Sequence, residues 1–221
     1  MLSKRLQIIA NLIPKDSNVA DIGCDHGYLL IYLKDNHFNG KLLGIDNKKG
    51  PLESFRNNLI QKKYENKITI KLSDGLKDVD NNFNTIVIAG MGFDNIKKIV
   101  LDSKEKLDNI ETFIIDSHTK EPEVRKFFVK LAYKIEEELI IEENGIFYEI
   151  IKFVKGNKEY SEIEYKFGPI LIKEKSDIFK KKWNKKLLKN NEIIKNNNIE
   201  NTKKNTFEEE NKIIQKIINS K

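Results

Sequence analysis

One cysteine, one tryptophan, two methionines and four prolines are all that 221 residues hold of those types. A lone Cys24 cannot close an internal disulfide, which sets aside disulfide-stapled secreted scaffolds and suits a reducing cytoplasm. No apolar stretch approaches the roughly 20 residues needed to span a bilayer, so no membrane partner is expected. The leading segment MLSKRLQIIANLIPKD is basic and partly apolar. Its apolar runs stop at three residues and Asn11 interrupts them, which argues against a signal peptide. Histidine is scarce too, with three residues: His37 and His118 are isolated, and no Cys or His spacing matches a metal site, so no metal is expected.

What the chain does have is charge. Charged residues make up 33% and hydrophobic residues 39%, a balance that allows a buried core under a very polar surface. The length suits one core with an appendage. The formal net charge of +6 is unevenly placed. Residues 154–221 hold 17 Lys against 10 Asp or Glu, whereas residues 1–153 are close to neutral, with 23 basic and 24 acidic side chains. A neutral body with a basic tail fits a polyanionic partner, because lysine contacts to phosphate release counterions. The alternative is that Lys merely keeps exposed helices solvated.

Along the chain, Leu6, Ile9 and Ile13 share one face of a helix over 3–13, with Ser3 placed to cap it. Asn18 to Asp21 reads as a short buried strand running into a turn at Gly23, then a helix over 28–36. The alternation continues with a strand at 41–46, a helix at 50–63, strands at 67–72 and 85–89, a helix at 94–105, a strand at 112–115 and a helix at 121–132. Such alternation predicts a parallel sheet. Two further strand-like runs, 134–142 and 146–154, are joined through Glu143, Asn144 and Gly145, an antiparallel hairpin. The expected fold is therefore an α/β, Rossmann-like, seven-stranded mixed sheet. After Gly168-Pro169, Phe179, Trp183, Leu187 and Leu188 recur at helical spacing, and Phe207, Ile213, Ile214, Ile217 and Ile218 form a second series. A helical, coiled-coil-like hairpin is expected, with NNNIENTKKN between its arms either structured or disordered. The domains are drawn as 1–155 and 156–221.

The chemistry is concentrated in ADIGCDHGYL at 20–29, where a strand ends on an acid and enters a glycine turn. Gly23 and Gly27 let backbone approach a ligand. The dinucleotide spacing G-x-G-x-x-G is missing, which disfavours a nicotinamide enzyme. The turn resembles instead the D-x-G-x-x-x-G motif of S-adenosylmethionine-dependent methyltransferases. Asp46 ends the second strand, where a carboxylate can accept both ribose hydroxyls. Ser73-Asp74-Gly75 follows the third strand, and AGMG at 89–92 ends the fourth. Taken singly, each could be a cap, a turn or a packing glycine. Together they lie at the carboxyl ends of successive strands, the rim on which open α/β sheets bind ligands.

These motifs, with LSKRLQIIANLIP at 2–14, TIVIAGMG at 85–92, ENGIFYEI at 143–150 and EYKFGPILIKEK at 164–175, resemble the bacterial tRNA adenine-22 N1-methyltransferases, the TrmK family. The resemblance implies methyl transfer from S-adenosyl-L-methionine to N1 of an adenine in the D-arm of tRNA. It implies that Asp21, Gly23, Asp25, His26 and Gly27 frame the methionine part, Asp46 the ribose and Asp74 with Gly75 the adenine edge. Ala89, Gly90, Met91 and Gly92 would border the cofactor and the target base. Because N1 already carries an in-plane lone pair, alignment matters more than a base. A nearby carboxylate would stabilise the cationic product; Asp25 is the first candidate and Asp94 the second. Phe93 is a candidate contact to the base, and Lys181, Lys182, Lys185 and Lys186 are candidate contacts to tRNA. The chain departs from the family where Phe93 replaces a second glycine after GMG, where DSH at 116–118 replaces a QPN-type segment, and at Asn84, which stands where an acid often precedes the fourth strand. Methylation of another RNA site, or RNA binding without catalysis, are the alternatives. A monomer is the working expectation, with the tail as a possible dimerisation element.

Overall fold

The computed structural model describes residues 2–196 and 200–220. Alternation of short apolar strands with amphipathic helices produces, in chain order, α1 (Lys4–Leu12), β1 (Val19–Ile22), α2 (Tyr28–Asp35), β2 (Leu42–Asp46), α3 (Lys49–Lys62), β3 (Thr69–Leu72), β4 (Thr85–Met91) and α4 (Phe93–Leu101). A 3-10 turn (Lys104–Asn109), β5 (Thr112–Ser117), α5 (Glu121–Lys130), β6 (Tyr133–Glu143) and β7 (Ile146–Lys155) complete the sheet. The expected helix over 94–105 is broken at Asp102 and Ser103, where Ser103 leaves helical geometry (φ −140°) and a 3-10 turn follows.

The seven strands lie in the order β3-β2-β1-β4-β5-β7-β6. The first five pair in parallel, while β7 runs antiparallel to both β5 and β6. Asn144 and Gly145 both have positive φ, the geometry that a two-residue hairpin turn needs to match strand twist. Strands β1, β2, β4 and β5 are nearly continuous apolar runs because helices cover both faces. One core cluster gathers Ile22, Ile45, Ile88, Phe113 and Phe128; the other gathers Ile9, Leu30, Leu43's neighbour Leu42, Phe55 and Ile114.

Beyond β7 come α6 (Glu162–Phe167), α7 (Leu171–Glu174), α8 (Asp177–Ile194) and α9 (Asn201–Asn219). The first two are short elements that the periodicity did not reveal. Ser161 and Glu164 form a reciprocal capping box on α6, and Ser176 caps α8. Helices α8 and α9 pair, and Phe167, Leu171, Phe179, Trp183, Leu187 and Ile214 make a third apolar cluster around Ile140 of β6. Of the polar NNNIENTKKN segment, 201–205 belong to α9, and 197–199 lie outside the described residues. Among the described residues no helix is long and apolar enough to cross a membrane.

Candidate active site

Four strand ends converge on one cavity of about 660 Å³. Its lining includes Gly23 and Asp25 after β1, Asp46 at the end of β2, Asp74 and Gly75 after β3, and Ala89, Gly90 and Met91 of β4. Residues that the motifs did not flag complete it, notably Asn47, Lys48, Pro51, Asn95 and Ile99. They come from the loop after β2, from the first turn of α3 and from α4, whose contributions depend on packing rather than on any local signature.

Asp46 is held from both sides. Its Oδ1 accepts the Lys48 amide at 2.9 Å and its Oδ2 accepts the Asp25 amide at 3.3 Å. A carboxylate pinned by backbone donors is pre-aimed, so two hydroxyls can approach its remaining lone pairs. Gly23 carries φ +74°, and a Cβ there would lie 2.2 Å from Met91 Cε, so the β1 turn and the β4 end are packed together. Gly90, with φ +79°, sits where the β4–β5 register shifts between Ala89 and Met91. Such a bulge re-aims the strand end toward the ligand.

Not every motif residue reaches the cavity. Asp21 is buried below it, and its pKa is pushed up to about 7, chiefly by burial, with Asp46 and Asp25 adding to the effect. Gly27 starts α2 in a left-handed conformation, with Phe55 packed where a side chain would stand. His26 stands beside the exposed Tyr28, its ring 5.6 Å away, and 3.4 Å from Asp25. Gly92 precedes α4 next to Thr119. Asp94 is exposed, paired with Lys120 at 2.9 Å, and is not part of the cavity lining. Phe93, expected to meet the base, turns into the core against Phe127, because the first turn of α4 faces the sheet there.

The lysines of α8 are largely engaged within the molecule. Lys181 pairs with Glu142, Lys185 donates to the Gly145 carbonyl, and Lys186 lies 3.4 Å from Glu210. Lys182 is drawn inward, bonding Glu149 at 2.7 Å and Glu121 at 3.0 Å. It is a joint between α8 and the sheet, which corrects its expected place on an RNA-facing surface.

The carboxylates Asp21, Asp25 and Asp46 gather at one end of the cavity, and each proximity raises the cost of ionising Asp21. A ligand bearing a sulfonium and an ammonium relieves that repulsion, so the residues present fit S-adenosyl-L-methionine. Among the described residues no group of three or more His, Cys, Asp or Glu could hold a metal ion.

The sequence profile of the tRNA (adenine(22)-N(1))-methyltransferase family TrmK matches residues 19–219. The chain belongs to this family. It is 32% identical over 193 residues to the Bacillus subtilis tRNA (adenine(22)-N(1))-methyltransferase, covering 84% of this chain and 81% of that protein. A Streptococcus pneumoniae structure in complex with S-adenosyl-L-methionine superposes with a TM-score of 0.91 at 29% identity, covering 99% of this chain and 100% of the other. The Mycoplasma capricolum TrmK structure in complex with S-adenosyl-homocysteine gives a TM-score of 0.87 at 28% identity, over 99% and 98% of the two chains. This TrmK-family chain therefore shares both fold and length with relatives that carry the cofactor or its product.

Proposed function

We propose that the protein methylates N1 of adenine 22 in tRNA, using S-adenosyl-L-methionine, in the cytoplasm. The observation that carries this reading is the cavity at the ends of β1 to β4 in a chain whose residues 19–219 match the TrmK family. The cofactor supplies an electrophilic methyl group on a sulfonium. Asp46, fixed by two amides, would take the ribose hydroxyls; Asp74 and Gly75 would meet the adenine edge; Gly23 and Asp25 would frame the methionine end. Asp21, buried below, would supply negative charge once a cationic cofactor favours its ionised form. Adenine N1 needs no deprotonation, so positioning and the acidic cluster provide the catalysis, with Asp25 the carboxylate closest to the role of stabilising developing positive charge. The Watson–Crick edge must be unpaired to reach the cavity.

Residues 1–155 serve in this reading as the catalytic unit and 156–221 as the unit that helps hold tRNA. Lys181 and Lys185 keep exposed side chains for that purpose, while Lys182 braces α8 on the body. Incubation with unmodified tRNA and methyl-labelled S-adenosyl-L-methionine, followed by nucleoside analysis, tests the assignment. Label in 1-methyladenosine, absent when adenine 22 of the tRNA is replaced and lost in Asp46→Ala, is the expected result. Label in another nucleoside overturns the acceptor, and no label with cofactor binding intact overturns catalysis.

A further inference from the structure

Cofactor contacts come from β1, β2, β3 and β4, so the methyl acceptor must approach across the remaining side, over the ends of β4 and β5. On that side stands a cluster that brings together residues from the segments 2–14, 116–118 and 143–150. Arg5 of α1 reaches Asp116 of β5 through Nη1 at 2.5 Å, and its guanidinium lies 5.0 Å from the centre of the Tyr148 ring. His118 packs edge-on to the same ring, and its amide donates to the Met91 carbonyl at 3.0 Å. A methyl group placed on Gly90 would lie 3.6 Å from Arg5 Nη1 and 3.7 Å from His118 Nε2. Two nitrogens thus converge over Gly90, a cavity residue with no side chain to block them.

We propose that Arg5 and His118 seat the target adenine over Gly90, and that Asp116 neutralises Arg5 so that this grip does not oppose methyl transfer. The proposal rests on the adenine-N1 reading above. In the reaction the N1 lone pair forms the new C–N bond as the C–S bond breaks. The electron pair of that bond stays on sulfur, and positive charge moves from the sulfonium to the purine. An isolated guanidinium beside the purine would raise the energy of that charge movement. Asp116, wholly buried and paired to Arg5, supplies the opposing charge. The arginine keeps other N–H groups for a ring nitrogen, and it is already held between Asp116 and the Tyr148 ring, so little freedom is lost on binding. Asp116 and His118 both belong to the DSH segment in which this chain departs from its family's usual pattern.

Asp116→Asn keeps an acceptor for Arg5 but uncovers its charge. We expect kcat to fall about tenfold, with the KM for tRNA and the Kd for S-adenosyl-L-methionine within about twofold of wild type, an order of magnitude typical of one misplaced charge. The double variant Arg5→Met/Asp116→Asn removes both charges: kcat should recover toward wild type while the KM for tRNA rises. Unchanged kcat in Asp116→Asn, or a parallel loss of Tm and cofactor affinity that the double variant does not reverse, would overturn the inference and leave a structural brace. Wild-type protein that forms no 1-methyladenosine would instead sink the proposed function, so the two failures are distinguishable.

Discussion

Asp21 lies under the cavity with its pKa lifted to about 7, against an ordinary carboxylate value of 3.8. Burial is the main cause, and the neighbouring Asp46 and Asp25 add to it. A carboxyl whose folded pKa is raised favours the folded state most at low pH, below its unfolded value. That contribution disappears as pH rises through the folded value. The ligand-free protein should therefore gain more thermal stability from Asp21→Asn at pH 8 than at pH 5, as read by Tm. A cationic cofactor favours the ionised form, so affinity should rise with pH between about 6 and 8 in wild type and flatten in Asp21→Asn, a comparison open to calorimetry. Equal pH slopes for the two proteins would remove Asp21 from the site. The place of Asp46 at the cavity was legible from its strand-end position, whereas Asp21, expected to frame the methionine part, lies beneath the cavity. Arg5 was not legible, because its partner Asp116 lies 111 residues away and only sheet order brings the two together. Phe93 shows the reverse error: adjacency to AGMG suggested the pocket, and helix orientation sent the ring into the core.

Helix α5 and strands β6 and β7 share a buried charge network that their sequences conceal. Arg125, fully buried, bonds Glu138 at 2.6 Å and Glu149 at 2.5 Å, and Lys182 of α8 completes Glu149 at 2.7 Å. Burial alone would raise the Glu149 pKa, yet Lys182 and Arg125 together hold it below the usual range. A buried carboxylate that loses a partner, or a buried cation left without one, costs about 3–5 kcal/mol. Glu149→Ala should lower stability by about that amount in urea unfolding. Lys182→Met should cost less, since Arg125 still pairs with Glu149. Nothing local in the sequence marks Arg125 of α5, Glu138 of β6 and Glu149 of β7 as partners. A second elemental test concerns the start of α2. A Cβ at Gly27 would sit 2.0 Å from the Phe55 ring at φ +74°, so Gly27→Ala should destabilise by about 1–3 kcal/mol or more, measured as a fall in Tm, without removing any cofactor contact.

Across the whole molecule, the basic tail docks through its own apolar cluster on β6 and through Lys182, which sets the spacing between the cavity and any RNA-binding surface. If tRNA binding relies on that surface, its affinity should fall steeply between 50 and 200 mM salt while cofactor affinity barely changes, an expectation for phosphate contacts of order 10³-fold or less. A tRNA affinity insensitive to salt would argue against the tail's role. Composition and periodicity were enough to establish the α/β class and the antiparallel closing hairpin, because each depends on residues close in sequence. Strand order, the broken helix after Leu101, the buried Arg125 network and the Arg5–Asp116 pair depended on which distant segments meet. Burial and ion pairing are properties of those meetings, and the same charged residue is a solvated surface group or a fixed part of the site according to what the fold places beside it.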